Sequence, residues 1–391
     1  MYRLLSIFSL DRHMPLPPLS LYIHVPWCIR KCPYCDFNSH AAGSELPEQA
    51  YVQALLADLQ QDLPWVQARP IHSIFFGGGT PSLFSAKAYQ QLFEGLQRVL
   101  TLSDDCEITL EANPGTFESN KFAAYRALGI NRLSMGIQSF QPQHLKRLGR
   151  VHDGDEARRA IEIAQQAGFD NFNVDLMHGL PEQTLEQAQA DLDIALSFAP
   201  PHLSWYQLTI EPNTEFYKRP PRLPEDDALW DIQEMGFARL AKAGFEHYEI
   251  SAFAQHGKAA RHNLNYWQFG DYLGIGAGAH GKITLASGEI IRSQKTRLPR
   301  DYLNPDKAFL SAEQRIERDD AGLECLMNAL RLRQGISAQD FTDRTGLSLD
   351  AVAQPLKLAQ QKGLLEVNER IYATERGQQY LNELLALFLT D

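Results

Sequence analysis

Residues 20–38 read SLYIHVPWCIRKCPYCDFN, an apolar β-strand pattern that runs directly into three closely spaced cysteines. Cys28, Cys32 and Cys35 form a C-x3-C-x2-C motif. Three thiolates can hold three irons of a cubane and leave the fourth iron without a protein ligand. The segment therefore predicts a [4Fe–4S] cluster in the loop that follows the first strand.

An open iron can bind the amino and carboxylate groups of S-adenosylmethionine, so the motif also predicts that cofactor. Tyr34 supplies an aromatic face beside the cysteines, suited to stacking near adenine. The spacing leaves one alternative open, a zinc site in which His24 or His40 completes the three cysteines. Cys106 and Cys325 stand alone and are predicted to be core residues.

Beyond this segment, apolar β-branched runs alternate with amphipathic stretches at a spacing of about 30 residues, the size of a βα unit. The predicted strands are 20–25, 71–76, 107–112, 132–138, 172–178 and 203–210, and the predicted helices between them are 48–62, 86–100, 118–128, 155–167 and 184–198. Six such units predict an α/β fold, a partial (β/α)6 TIM-like barrel over residues 19–215.

The periodicity weakens after the barrel, where a helix at 225–243 and a strand at 246–252 are predicted. Residues 216–318 are therefore expected to extend the barrel, and they contain HNLNYW at 262–267 and a glycine-rich stretch at 274–281. The pattern over residues 319–391 predicts a winged-helix-like α+β domain. Residues 1–18 are predicted to be a loose, disordered leader, with either Met1 or Met14 as the start.

Composition excludes some partners. The net charge is −11, and residues 319–391 hold seven basic against eleven acidic side chains, so the chain lacks the basic face of a nucleic-acid binder. No stretch approaches the roughly 20 apolar residues of a membrane span. Three of the five cysteines fall within eight residues, which favours a metal site in a reducing compartment, the cytoplasm, over disulfides.

Polar residues follow the predicted strands at their carboxyl ends, where a barrel of this type places its chemistry. Gly77–Pro81 (GGGTP) follows the second strand, Glu111 ends the third and Gln138 ends the fourth. Asp175 interrupts the fifth strand, and Arg150 lies in the loop before it. Together these groups predict a ligand site on one rim of the barrel.

Five segments carry a family resemblance: Ser20–Asn38, Gly77–Pro81, Glu111–Gly115 (EANPG), Leu133–Phe140 (LSMGIQSF) and Asp175–Pro181 (DLMHGLP). They resemble the HemW branch of the oxygen-independent coproporphyrinogen III oxidase family, whose proteins have the radical S-adenosylmethionine fold. The resemblance runs from about residue 19 to the C-terminus.

The resemblance implies roles for individual residues. The residues implied at the cluster-bound S-adenosylmethionine are Tyr22, Gly78, Glu111 and Thr209. Those implied at a second S-adenosylmethionine position, which the oxidases fill, are Gly79, Thr80, Gln138, Arg150 and Asp175. Whether this chain keeps the second molecule is not implied.

Two features favour the HemW branch over the oxidases. The oxidases carry an additional cysteine two residues after the third, where this chain has Phe37. The segment His262–Trp267 matches the H-N-x-x-Y-W motif associated with haem binding in HemW proteins, so His262, Tyr266 and Trp267 are expected to contact haem. From the residues alone, a hydrogen-bonded histidine beside a packed aromatic pair remains the alternative, and His280 is a second candidate ligand.

The resemblance therefore favours a haem chaperone, with haem as cargo and apo-haemoproteins as acceptors, and predicts no catalytic residue. It leaves open a haem donor protein and a homodimer. The alternative function is that of an oxygen-independent coproporphyrinogen III oxidase, which removes carboxyl groups from propionate side chains. A zinc-stabilised binding module is the third possibility.

Overall fold

The computed structural model describes residues 15–116 and 119–389 of the 391-residue chain. Residues 1–14 of the predicted leader lie outside the described residues. The four residues that follow lead straight into the first strand, and the carbonyl of Pro17 accepts a hydrogen bond of 2.9 Å from the Arg69 guanidinium. The described end of the predicted leader is thus attached to the barrel.

Six parallel strands form the barrel in the order in which the chain makes them. The strands are β1 Leu19–Val25, β2 Ile71–Gly78, β3 Leu102–Ala112, β4 Arg132–Gln138, β5 Phe172–His178 and β6 His202–Gln207. The helices between them are α1 Glu48–Val66, α2 Ala86–Val99, α3 Ser119–Ala127, α4 Gly154–Gln166 and α5 Leu185–Ser197. Each strand pairs in parallel with the next. The predicted partial barrel is confirmed.

The barrel strands have two different faces. In β1, Leu19, Leu21 and Ile23 are fully buried in the main apolar core, whereas Tyr22 and His24 line a cavity. Parallel strands buried on both faces usually read as continuous apolar runs. The polar residue at every second position therefore indicates an interior that is partly open.

Six further strands extend this sheet to twelve, in the order β12-β11-β10-β9-β1-β2-β3-β4-β5-β6-β8-β7. The added elements are helix α6 Asp226–Lys242, strands β7 Glu246–Glu249 and β8 Ala252–Ala254, helix α7 Arg261–Trp267, and strands β9 Asp271–Ile275, β10 His280–Thr284, β11 Ile290–Lys295 and β12 Leu310–Ile316. Strand β9 is parallel to β1, and β10 to β12 are antiparallel.

The single strand predicted over 246–252 is wrong in one respect: it is two strands, β7 and β8. The chain turns between them, and the Glu249 carboxylate accepts a hydrogen bond of 3.1 Å from the Ser251 amide. The two strands then pair antiparallel with an irregular register. The chain therefore reverses direction at a local side-chain contact, although the apolar pattern of the sequence continues through this point.

The C-terminal part forms a smaller α+β unit with a three-stranded sheet, β13-β15-β14. Its elements are α8 Arg318–Ala329, β13 Ile336–Ser337, α9 Ala338–Thr345, α10 Ala353–Gln361, β14 Leu365–Val367, β15 Arg370–Ala373, α11 Glu375–Gln379 and α12 Leu381–Ala386. This order of helices and a hairpin is the predicted winged-helix-like arrangement. Within the described ranges, no helix combines the length and apolar character needed to cross a bilayer.

Candidate functional site

The cysteine loop follows β1 at the carboxyl end of the barrel. Cys28, Cys32 and Cys35 all line a cavity of about 580 Å³ in the barrel interior, which we name the cluster cavity. A short parallel pairing of Trp27–Cys28 with His40–Ala41 closes the base of the loop. The fold therefore presents three thiols to one cavity.

The surroundings of these thiols fit a cubane better than a zinc ion. Arg150 donates a hydrogen bond of 3.6 Å to the Cys32 sulfur, the kind of contact that tunes a cluster thiolate. Both ring nitrogens of His24 are engaged, by the Tyr22 hydroxyl and the Asn38 carbonyl, each at 2.8 Å. The Nε2 of His40, the other candidate zinc ligand, is hydrogen-bonded to the Asn38 side-chain oxygen at 3.2 Å.

The glycine segment after β2 lies close beneath the cysteine loop. Gly78 has a φ of +110°, and a Cβ built there would lie 2.4 Å from the His24 ring. A Cβ on Gly79 would lie 2.5 Å from the Trp27 carbonyl oxygen. Only glycine fits at these two positions without displacing its neighbours, so the glycines let this segment pack directly against β1 and the start of the cysteine loop.

Hydrogen bonds link the strand ends around the cluster cavity. The Gly78 amide donates to the Glu111 carboxyl group at 3.1 Å, and Asn113 donates to the Thr80 hydroxyl at 2.8 Å. Arg150 reaches both the Asn113 side-chain oxygen at 2.5 Å and the Gly136 carbonyl at 2.6 Å. The guanidinium therefore ties the third and fourth strand ends to the cysteine loop.

Two carboxyl groups in the cavity are hard to ionise. Burial, and to a lesser extent the charge of Asp175, raises the pKa of Glu111 to about 8. Burial also raises the pKa of Asp175, although Asn173 and Ser134 donate hydrogen bonds to it at 2.7 and 3.2 Å. Glu111 is therefore largely neutral at pH 7, and can donate as well as accept a hydrogen bond.

Most of the sequence-predicted residues meet at this cavity. Those lining it are Cys28, Cys32, Tyr34, Cys35, Gly78, Gly79, Thr80, Glu111, Gln138, Arg150, Asp175 and Trp267. Thr209 is absent from that wall: β6 ends at Gln207, and the Thr209 hydroxyl is exposed and donates to Glu211 at 2.7 Å. Thr209 therefore does not line the cluster cavity, and its contact with the cofactor stays a prediction.

A second cavity of about 760 Å³ adjoins the first, and we name it the aromatic cavity. Its walls include Tyr22, His262, Tyr266, Tyr272 and His280. The two cavities share the residues Phe37, Phe75, Gly78, Glu111, Glu249, Asn263 and Trp267. The predicted haem-contact residues and the predicted cluster residues thus line adjoining spaces.

The His262 ring lies in the wall of the aromatic cavity. Its ring stacks on Phe75 with centroids 4.7 Å apart, and its Nδ1 is buried with no hydrogen-bond partner among the described residues. Burial, helped by the charge of Arg132, lowers the pKa of His262 to about 4. The imidazole is therefore neutral at pH 7, the form in which it binds iron.

The aromatic pair of the motif is packed as the alternative interpretation expected. Tyr266 and Trp267 meet edge to face with centroids 4.8 Å apart. The Nδ1 of His262 lacks a partner among the described residues, as do those of His144, His152 and His178, but of these four histidines only His262 lines the aromatic cavity.

Two anchors fix helix α7 across the barrel interior. The Glu107 carboxylate accepts hydrogen bonds from the amides of Arg261 at 2.9 Å and His262 at 3.4 Å. The Asn265 side chain donates to the Ser20 hydroxyl at 3.0 Å and the Asp271 carbonyl at 2.8 Å. The motif is thereby held against β1, β3 and β9.

Sequence reasoning missed several lining residues. They include Phe75, Asn113, Arg132, Ser134, Asn173, His202, Ser204, Tyr206, Glu249 and Arg331. The signal that could have found many of them is the spacing of two within a strand. Arg132, Ser134 and Gly136 lead to Gln138 in this way, because alternate strand residues face the same side.

Comparison with known families and proteins agrees with this site. Residues 22–195 match the Radical SAM superfamily, and residues 316–380 match the HemN C-terminal domain. The chain is 53% identical to the heme chaperone HemW of Haemophilus influenzae, over 96% of this chain and 99% of that protein. It is 52% identical to the heme chaperone HemW of Escherichia coli, over the same shares of the two chains.

A solved structure extends the match to the fold. The radical SAM enzyme coproporphyrinogen III oxidase (HemN) of Escherichia coli superimposes with a TM-score of 0.82 at 25% sequence identity, covering 96% of this chain and 91% of that one. The cysteine motif, the barrel fold and the sequence similarity to HemW proteins over nearly the full length all indicate the same family. The chain therefore belongs to the HemW family of radical SAM proteins, a family that implies a [4Fe–4S] cluster and S-adenosylmethionine.

Proposed function

We propose that this protein is a haem chaperone that binds haem and transfers it to apo-haemoproteins. The observation that carries the proposal is an aromatic cavity with an unpartnered, neutral imidazole, His262, adjoining the cavity of the three cysteines. The relatives named as heme chaperones support it, because they match this chain over nearly its whole length.

Cys28, Cys32 and Cys35 would hold a [4Fe–4S] cluster, which when loaded offers an open iron and an electron for S-adenosylmethionine. The backbone of Gly78 and Gly79 and the side chains of Thr80 and Glu111 would then line the cofactor on one side. Gln138, Arg150 and Asp175 line the other side of the same cavity. Arg150 would hold the Cys32 thiolate in place and stabilise its negative charge.

Haem would occupy the aromatic cavity as cargo. His262 supplies an imidazole nitrogen for the iron, while Phe75, Tyr266 and Trp267 supply flat apolar surface for a porphyrin. His280 is exposed at the same cavity and is a second candidate ligand. A cavity of about 760 Å³ is within the ordinary range for sites of small molecules and cofactors.

The surroundings of the cysteines favour a reducing compartment, and we assign the protein to the cytoplasm. All five cysteines are free thiols. Closely spaced thiols of this kind hold metal centres where the environment is reducing. The acceptors would then be haemoproteins that receive haem in the cytoplasm.

A haem titration tests the proposal. Anaerobically reconstituted His262→Ala protein should bind haem at least about tenfold more weakly than the wild type, since it loses an iron ligand. His256→Ala is the matched control, because the His256 side chain is 97% exposed on the surface. The absorbance of the cluster and the iron content should be unchanged in both variants. Equal haem affinity in His262→Ala and wild type would remove helix α7 from the haem site.

The oxidase remains the competing function because its fold is so similar. Phe37 opposes it, since this side chain stands where the oxidases have their additional cysteine and is 61% exposed at the junction of the two cavities. An anaerobic assay with reductant, S-adenosylmethionine and coproporphyrinogen III should give no vinyl product beyond a single turnover. Many turnovers would replace the chaperone proposal by the oxidase.

A further inference from the structure

Arg132 is a buried cation that forms no ion pair with the described carboxylates. It is the first residue of β4, at the amino end of the barrel, and it is only 2% exposed. Its side chain lines the cluster cavity, and its Nε is buried with no hydrogen-bond partner. Within the part of the chain that the structure describes, its guanidinium has no ion pair. A buried unpaired charge is costly, so its persistence calls for a ligand.

The Arg132 charge acts on Asp175, and the Arg331 charge acts on Glu249, each lowering the pKa of that carboxyl group. Burial outweighs both attractions, so the pKa values of Asp175 and Glu249, like that of Glu111, are raised overall. The oxygens of Asp175 are already occupied by Asn173 and Ser134. The cation is therefore available to an anion that enters the cavity.

The charge of Arg132 acts on two histidines near the cavities. Its positive charge contributes to the lowered pKa of His262 in helix α7 and of His202 in β6. Such a Coulombic effect requires proximity in a partly desolvated interior. The guanidinium lines the cluster cavity, and its charge acts on both helix α7 and strand β6.

A second arginine enters the same cavity from the C-terminal part. The Arg331 guanidinium lies over the Trp267 ring, 4.5 Å from its centroid. Its Nε is also buried without a hydrogen-bond partner among the described residues. Trp267 belongs to both cavities, so Arg331 borders the aromatic wall as well.

We propose that Arg132 and Arg331 form a carboxylate site that binds the propionate groups of the tetrapyrrole cargo. Guanidinium groups match carboxylates in a bidentate geometry and keep their charge when buried. Haem carries two propionates on one edge, and two arginines can receive them while the ring lies against the aromatic wall. This inference rests on the proposed function, because it assigns the acidic edge of the same cargo.

The experiment compares haem with its dimethyl ester, which has the same ring and iron but no carboxylates. Both are titrated into anaerobically reconstituted wild type and Arg132→Gln protein. Arg132→Gln should weaken haem binding by roughly 10- to 100-fold, the effect of losing a charged hydrogen-bond pair. The affinity for the ester should be nearly the same in both proteins. Arg331→Gln should show the same selectivity with a smaller loss.

Arg98→Gln is the matched control, since Arg98 is exposed in the last turn of α2. It should leave both affinities unchanged. Thermal unfolding supplies a second readout: without ligand, Arg132→Gln should unfold at the same or a higher temperature than wild type, because the variant no longer buries an unpaired charge. A lower unfolding temperature with equal losses for haem and ester would make Arg132 a structural residue and overturn the inference.

The remaining outcomes are also decisive. S-adenosylmethionine carries a carboxylate too, so its affinity is measured in the same variants. A loss for S-adenosylmethionine with haem affinity unchanged would assign the arginines to that cofactor and contradict the propionate site. Failure of the wild type to bind haem at all would contradict the proposed function itself. If the wild type binds haem but Arg132→Gln affects haem and its dimethyl ester equally, only this inference is contradicted.

Discussion

At the scale of single residues, the neutral carboxyl of Glu111 has a consequence for stability. Its native pKa, about 8, lies above the ordinary value of 4.5. The folded protein therefore binds this proton more tightly than the unfolded chain does between those two values. Stability from this group is fully present below pH 4.5 and is lost as the pH rises through about 8.

Glu111→Gln replaces the ionisable carboxyl group with an amide of nearly the same shape, so the side chain no longer titrates. We expect the unfolding free energy of the variant, relative to wild type, to rise by roughly 2–4 kcal/mol between about pH 5 and pH 9. Chemical denaturation across this range, under anaerobic conditions and without S-adenosylmethionine, measures it. A difference that does not change with pH would show that Glu111 titrates normally.

The site residues that could be predicted are those with strong chemical signals. The cysteine spacing and the run of glycines at the end of β2 can be recognised in the sequence alone, and both line the cluster cavity. Thr209 is placed elsewhere because β6 ends two residues earlier and its hydroxyl is used by Glu211. Arg132 was missed because a charged residue at the start of a strand usually faces solvent, and nothing local indicates that this one is buried.

At the scale of elements, the position of helix α7 decides where the haem motif faces. The helix has seven residues and no side-chain cap of its own. Instead, the Glu107 carboxylate of β3 caps the helix by accepting hydrogen bonds from its first two amides. The chemistry of α7 therefore depends on a barrel residue more than 150 positions earlier.

Glu107→Ala should release this end of α7. We expect a loss of about 1–2 kcal/mol in unfolding free energy, because two partly buried amides lose their acceptor, together with weaker haem binding. Glu107→Gln keeps a side-chain oxygen and should restore most of both properties. Thermal unfolding and haem titration check the pair. If Glu107→Ala binds haem normally, the helix does not need this anchor.

Strands β10 and β11 of the extension could not be predicted, and their buried charges explain why. Lys282 in β10 and Lys295 in β11 are almost completely buried. Lys282 pairs with Asp271 at 2.9 Å, and Lys295 pairs with Asp58 at 2.5 Å and with Asp62 at 2.8 Å. A lysine in a strand normally indicates an exposed face, so these pairs conceal the apolar pattern that sequence reasoning reads. The barrel strands lack such interruptions on their outer face and were therefore predicted.

At the scale of the whole molecule, the three parts of the chain build one site. Phe269 and Ile290 of the extension belong to the same apolar cluster as Leu326 and Phe341 of the C-terminal part. Asn328 also donates to the Tyr266 carbonyl at 3.2 Å, which ties helix α8 to the haem motif. The C-terminal part thus packs against the extension and reaches the cluster cavity through Arg331.

The same assembly explains why fold class was easier to predict than the site. Strand and helix periodicity is local, so six βα units are visible without knowing how they pack. The two cavities depend on contacts between segments far apart, such as Arg331 over Trp267 and Phe75 beneath His262. No local pattern records those contacts.

A crystal structure of the anaerobically reconstituted protein with haem tests the central claim most directly. We expect a cubane held by Cys28, Cys32 and Cys35 with one iron free of side chains, and haem in the adjoining cavity against Phe75 and His262. Haem bound on the outer surface, or a single metal ion at the three cysteines, would contradict the account.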